Sequence, residues 1–262
     1  MHIYPPGRRL PPWLKSLLLL AIPVIALGML ALGFWQLTRL QERRAQNALI
    51  VARMQAPPVE LPVQLGDGDW SAWDYRLVTV RGVFDPSQEI VWKTQAHKGA
   101  PGVHVITPLR IAGASSAVLV DRGWLPYLEA EPERRAAYPP PAGEVTVTGL
   151  LRLPALRDSF FAPRDPPLGP DLPRLDGWFW LDTRAIQAQM PYPLLPVIVV
   201  QAPEPGRTGL PVRDVNLQLD DGPHLSYAIQ WFAFAAIAIV GPLIYRLSER
   251  RKLSDAKLPH KP

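Results

Sequence analysis

Residues 16–38 read SLLLLAIPVIALGMLALGFWQLT, and residues 225–245 read LSYAIQWFAFAAIAIVGPLIY. Neither stretch holds a charged residue; Lys15 and Arg39 border the first, Asp221 and Arg246 the second. As a helix rising 1.5 Å per residue, the first reaches roughly 35 Å, enough to cross a hydrocarbon core of about 30 Å. Pro23 is tolerable there, because a neighbouring helix can satisfy the carbonyl it frees. The two stretches therefore read as transmembrane helices, one near each end of the chain. Ala233, Ala235, Ala236 and Ala238 offer small side chains for close approach, and the first span is the natural partner. A cleaved signal peptide fits poorly: the apolar run is too long, and Leu32 to Gln36 contains no small-x-small site.

The rest of the composition supports this division. The chain has 262 residues and no cysteine, so disulfides and thiolate chemistry are excluded. Mean hydropathy is only +0.02, so the apolar residues are concentrated rather than spread. The net charge of +5 invites a nucleic-acid reading, but its distribution removes it. Residues 1–38 carry Arg8, Arg9 and Lys15 without an acid, and residues 246–262 carry six Lys/Arg against two acids. Residues 40–224 carry 18 Lys/Arg against 21 acids. Basic tails beside apolar spans are the positive-inside pattern, not a groove for phosphate backbones. The expected organisation is a cytoplasmic tail (1–15), a first span (16–38), an extracytoplasmic domain (39–224), a second span (225–245) and a basic cytoplasmic tail (246–262). Arg39, Arg43 and Arg44 lie on the far side, but a segment this long translocates largely regardless of charge.

Within the domain, Leu40 to Met54 has good helix formers and no Gly or Pro, and Pro57, Pro58 and Pro62 end it. Strand patterns follow: Tyr75–Phe84, Glu89–Thr94, Val103–Ile111, Ala117–Trp124, Glu144–Leu153, Phe179–Leu181 and Val197–Gln201. Val103, Val105, Thr107, Leu109 and Ile111 share one face, with His104 and Arg110 on the other. Val118, Val120 and Trp124 stand opposite Asp121. The continuously apolar Val197–Gln201 reads as a strand buried on both faces. Short helices are expected at Glu131–Ala137 and Thr183–Met190, the latter capped by Asp182 or Thr183. The fold class is membrane α+β: two transmembrane helices flanking a mostly antiparallel, β-rich sheet or partly closed barrel. Between Leu153 and Gly177, Pro163, Pro166, Pro167, Pro170 and Pro173 mark an extended excursion.

Chemical motifs are sparse. The histidines are His2, His97, His104, His224 and His260, with no HExxH spacing and no Cys partners. No GxSxG elbow or GxxxxGK[ST] loop occurs, and the carboxylates single out no acid/base pair. The reading is that the chain is not an enzyme. His104 reads as a surface histidine, and Arg122-Gly123-Trp124-Leu125-Pro126 as a strand end with a turn. His224 differs. It stands at the mouth of the second span, and at 100° per residue His224, Tyr227, Trp231 and Phe234 share an arc of about 80°. An imidazole at the bilayer edge above an aromatic face can ligate a haem iron while flat rings hold the macrocycle. The competing reading is an interfacial anchor, and interface aromatics are far commoner than ligand histidines. Trp35, Gln36 and Arg39 sit at the same level of the first span. They form either an aromatic belt with a snorkelling cation or a second wall, with Arg39 pairing a propionate.

Several segments, in order, resemble the Surfeit locus protein one family of cytochrome c oxidase assembly factors. They are Leu32–Leu40; Tyr75-Arg76 with Arg81–Phe84; Gly102–Leu109; Val118–Pro126; and Asn216 with His224–Phe232. Each is a weak signal alone, whereas the ordered set between two terminal spans is specific. The resemblance implies a non-enzymatic role in assembling the haem-copper oxidase and, in bacterial members, binding of haem a for delivery to the catalytic subunit. It implies His224 as iron ligand and Tyr227, Trp231 and Trp35 as pocket walls. The implied partners are the oxidase catalytic subunit, other oxidase assembly proteins and the lipid bilayer, with no nucleic acid. The implied location is a bacterial inner membrane, with both termini cytoplasmic and the central domain periplasmic. Two alternatives stay open: a haem-free scaffold holding oxidase subunits, and a membrane-anchored extracytoplasmic enzyme. Ala162–Arg174 has no counterpart in the family pattern.

Overall fold

A computed structural model describes residues 11–154, 159–214 and 219–255. Arg8, Arg9 and Asn216 lie outside them. The chain divides into two units: residues 1–48 with 219–262, and residues 49–218.

The first unit is a pair of helices. Helix α1 runs Pro12–Gln55 and continues beyond its apolar stretch, as its composition predicts. A second long helix, numbered α4 below in chain order, covers His224–Asp255. Both are long and apolar enough to cross a membrane. They run antiparallel: Asn47 Nδ2 donates to the Asp220 carbonyl (3.0 Å), Arg44 pairs with Asp221 (2.8 Å), and Phe34 and Phe232 meet edge-on with centroids 5.3 Å apart. Among the described residues, the buried positions of α1 are Ala26, Gly33, Leu40 and Asn47, and those of α4 are Ala228 and Ala235. A spacing of seven is the seam of a left-handed helix pair. Among the four alanines expected to mediate approach, only Ala235 is buried; Ala233 and Ala236 face outward and Ala238 is half-buried. The run of alanines spreads around the helix, so just one falls on the seam. Pro23 and Pro242 both line an apolar cleft of about 500 Å3 between the helices.

Gly33 is the tightest point. A Cβ there would come within 2.5 Å of the Phe232 ring. Gly33→Leu is expected to weaken the helix pair by about 1–3 kcal/mol, the usual cost of overpacking. Thermal unfolding in detergent should show a midpoint several degrees lower, and an unchanged midpoint would refute the seam.

The second unit is a mixed sheet of eight strands. They are β1 (Val59–Glu60), β2 (Leu77–Phe84), β3 (Ile90–His97), β4 (Ala100–Ile111), β5 (Ala117–Pro126), β6 (Glu144–Arg152), β7 (Gly177–Trp178) and β8 (Leu194–Gln201). Short helices α2 (Pro132–Arg135) and α3 (Thr183–Gln187) complete it. Asp182 caps α3, accepting from the Arg184 and Ala185 N–H groups. The order is β1-β2-β6-β8-β5-β4-β3-β7, and β2 also pairs with β4. That last pairing closes β2, β6, β8, β5 and β4 into a five-stranded barrel. Closure occurs at Gly82, where β2 passes from β6 to β4 and a side chain would strike the Arg110 carbonyl.

The barrel lumen holds Val78, Val80, Leu109, Val118, Val120, Val147, Leu151 and Val199. A second core on the outer side joins Ile106, Leu119, Ile198, Trp178 and Ile186 of α3. Strands β5 and β8 are thus covered on both faces, which accounts for their continuous apolar runs. They pair in parallel, unlike most of the sheet. The long connection after β6 brings β8 in along the direction of β5. The strand expected at Phe179–Leu181 lies instead at Gly177–Trp178, where the backbone pairs with β3.

Candidate functional site

The site implied by the sequence lies at the head of α4. His224 is half-buried, and its Nδ1–H donates to Gln36 Oε1 of α1 at 2.9 Å. With Nδ1 occupied, Nε2 is the ring nitrogen that carries the lone pair in the neutral imidazole. Gly222, at φ +66°, lies on that side: a Cβ there would stand 3.5 Å from Nε2. The arrangement fixes ring and tautomer, as the partner of a metal-binding imidazole does.

The other expected residues are placed as follows. Trp35 and Tyr227 are about half exposed, and Trp231 is half-buried with its ring edge-on to Phe234. The Arg39 guanidinium lies 5.8 Å from the Trp35 ring centroid and pairs with Glu42 at 2.7 Å. The contact that joins the two helices at this level is His224 with Gln36.

Two polar clusters of the sheet domain escaped the sequence reading. The first is centred on Glu89. One carboxylate oxygen accepts from Thr107 Oγ1 (2.6 Å) and Arg122 Nη1 (2.8 Å), the other from Arg135 Nε (2.9 Å). Arg135 also holds Asp176, and Arg122 donates to the Tyr138 carbonyl at 2.7 Å. Burial lowers the Arg122 pKa, and Glu89 offsets only part of this. Arg135 is also penalised by burial, but Asp176 and Glu89 together raise it above the usual value.

The second cluster is His104 with Asp121. His104 is not a surface histidine: its side chain is 18% exposed and its Nδ1 lies 2.7 and 2.9 Å from the two Asp121 oxygens. Asp121 is 2% exposed and also accepts the Gly123 N–H. Burial lowers the His104 pKa, yet the charge and hydrogen bond of Asp121 outweigh it and raise the pKa overall. Nor does Asp121 stand opposite Trp124, as strand alternation predicts; both line one cavity. The pairing of β4 with β5 slips between Val105 and Ile106, leaving Arg122 as an extra residue, and the bulge reverses the phase. Consecutive charges inside the apolar run Val118-Leu119-Val120-Asp121-Arg122 were the available signal for both clusters.

Comparison with known proteins settles the relationship. Residues 23–236 match the model of the SURF1 family, a span that covers most of α1, the whole sheet and the first part of α4.

This chain belongs to the SURF1 family.

Relatives include a SURF1-like protein of Monosiga brevicollis, 30% identical over 84% of this chain and 83% of the relative. Surfeit locus protein 1 of Homo sapiens is 28% identical over 83% of this chain and 73% of its own. An uncharacterized SURF1-like protein of Mycobacterium tuberculosis is 29% identical over 96% and 91%. The SURF1 match reaches Trp35, Gln36, Arg39, His224, Tyr227 and Trp231.

Proposed function

We propose that this SURF1-family chain is a membrane-embedded assembly factor for haem-copper cytochrome c oxidase. It carries haem a, with His224 as iron ligand. The observation that carries the reading is the His224 to Gln36 hydrogen bond. It joins the two apolar helices and occupies Nδ1, so that Nε2 is the nitrogen available to an iron. Tyr227, Trp231 and Trp35 supply flat apolar surface beside it. Arg39 meets a propionate by exchanging its exposed partner Glu42, a swap of small cost because exposed ion pairs contribute about 0–1 kcal/mol. Haem a is an apolar cargo, and holding it at a bilayer edge keeps its hydrocarbon from water.

Both long helices act as spans in this reading. Their outward side chains are apolar around most of the circumference, including Val24, Leu27, Ile237, Val240 and Ile244. Surface of that extent faces lipid or another protein. The antiparallel pairing brings the start of α1 and the end of α4 to the same end, where the basic tails belong on the cytoplasmic side. The chain between the spans is then on the periplasmic side of a bacterial inner membrane. The oxidase catalytic subunit and other assembly proteins are the partners. The role is one of binding and delivery, not of enzymatic turnover.

The test is a visible spectrum of the protein purified from cells that make haem a. Wild type should carry a haem chromophore. His224→Ala should lose most of it, while Gln36→Ala should bind at least about tenfold more weakly because ring orientation is lost. An undiminished spectrum in His224→Ala removes the ligand assignment. No chromophore in wild type, with the oxidase catalytic subunit still co-purifying, establishes the haem-free scaffold instead.

A further inference from the structure

A cavity of about 300 Å3 opens on the outer side of the barrel, lined by residues of β3, β4, β5 and β6 and by the segment after β8. His97, Lys98, His104, Asp121, Trp124 and Arg152 contribute to its wall. Four features mark it as a built site rather than a surface dent.

The first is His104. Both oxygens of buried Asp121 face its Nδ1, and the Gly123 N–H fixes Asp121 in turn. The imidazole is therefore held in one orientation, with Nε2 as its other polar atom. The second is charge. Protonated His104, Lys98 and Arg152 stand against Asp121 and Asp214. Asp121 is already committed to His104, and Asp214 lies 3.7 Å from His97 Nδ1. Arg152 pairs with Asp74 at 3.3 Å, whereas Lys98 has no ion-pair partner among the described residues. The third is an aromatic wall: the Trp124 and His97 rings pack with centroids 5.4 Å apart. The fourth is backbone strain. Thr94 (φ +61°) and Lys98 (φ +50°) bracket the segment that brings Gln95, Ala96 and His97 to the cavity. The pairing of β3 slips between Trp92 and Gln95. A β-branched residue at positive φ is strained and persists where the surroundings impose it, as at ligand clamps.

We propose that this cavity binds a small oxyanion, a carboxylate or a phosphate, held between His104 Nε2–H and the Lys98 ammonium. A metal cation fits less well, because Lys98 and Arg152 repel it. Two charge-assisted hydrogen bonds to one oxyanion are the strong kind. Binding strengthens in acid, where His104 is charged. It weakens as pH rises through the raised His104 pKa; the other charged and titratable groups that face the cavity are His97, Lys98, Arg152, Asp121 and Asp214. The proposal is independent of the haem reading.

The test is calorimetric titration of the full chain in detergent, at fixed ionic strength, with inorganic phosphate and separately with succinate. Saturable binding of at least one is expected, several-fold tighter near pH 6 than near pH 8. Phosphate alone or succinate alone identifies the source. Lys98→Met, at an exposed turn, should weaken it at least about tenfold, and His104→Gln should also abolish the pH dependence. Since His104→Gln strips Asp121 of its partner and can disturb folding, Lys98→Met decides the matter. Absence of saturation with both titrants at both pH values, or binding unchanged in Lys98→Met, overturns the proposal.

Discussion

Glu89→Gln is expected to destabilise the sheet domain by about 3–5 kcal/mol, the range seen when one partner of a buried ion pair is removed. Arg122 is 2% exposed and Arg135 6%, and Glu89 is the carboxylate they share. Arg135 keeps Asp176 after the change, through two hydrogen bonds. Among the described residues, Arg122 keeps only the Tyr138 carbonyl, and its Nε has no hydrogen-bond partner. A guanidinium cannot shed its proton to escape, so it stays charged in a dry site. Most of the loss therefore falls on Arg122. Denaturant unfolding in detergent, followed by circular dichroism, checks the magnitude. Glu89→Gln combined with Arg122→Met should recover part of it, because the stranded charge is gone. If the single substitution costs less than about 1 kcal/mol, the network is not holding strand β4, strand β5 and helix α2 together.

Gly123→Ala should cost a comparable amount by a different route. Gly123 has φ +122°, a region that side-chain-bearing residues rarely adopt. Its neighbour Trp124 exchanges two backbone hydrogen bonds with Val212, both 2.8 Å. That brings the Val212 backbone over Gly123, where an added Cβ would lie 2.8 Å from the Val212 carbonyl carbon. Backbone strain of about 1–3 kcal/mol adds to overpacking of about 1–3 kcal/mol. The bulge also sets the phase of Asp121 against Trp124. The variant should therefore disturb the cavity beside His104 as well as the fold. A chain that melts at the wild-type temperature and keeps its tryptophan emission would contradict both effects.

Reading the sequence located most elements to within a few residues. It placed β2, β4, β5 and β6 because alternation of apolar with polar residues marks a strand, and β8 because a continuous apolar run marks one covered on both faces. It failed at Phe179–Leu181, where two aromatics suggested a strand that backbone pairing with β3 places two residues earlier. For the site, His224 was legible from its position before an aromatic helix. The partnership with Gln36 was not, since 188 residues separate the two and no local pattern joins them. His104 was misread for a related reason. Alternation correctly turned it away from the lumen, but what covers that outer side is supplied by distant segments.

By itself the sequence determined the two long apolar helices, the strand-rich interval between them and membership of the SURF1 family. Those depend on composition and period along consecutive residues, which the chain carries locally. The tertiary structure decided the barrel closure of β2 onto β4, the parallel entry of β8 beside β5, the burial of Glu89 between two arginines and the pairing of His104 with Asp121. Each joins residues far apart in the chain, and each turns on close approach at a glycine or on a bulge that changes the facing of every residue after it. The cost of an unpaired buried charge then selects the one arrangement in which these groups meet.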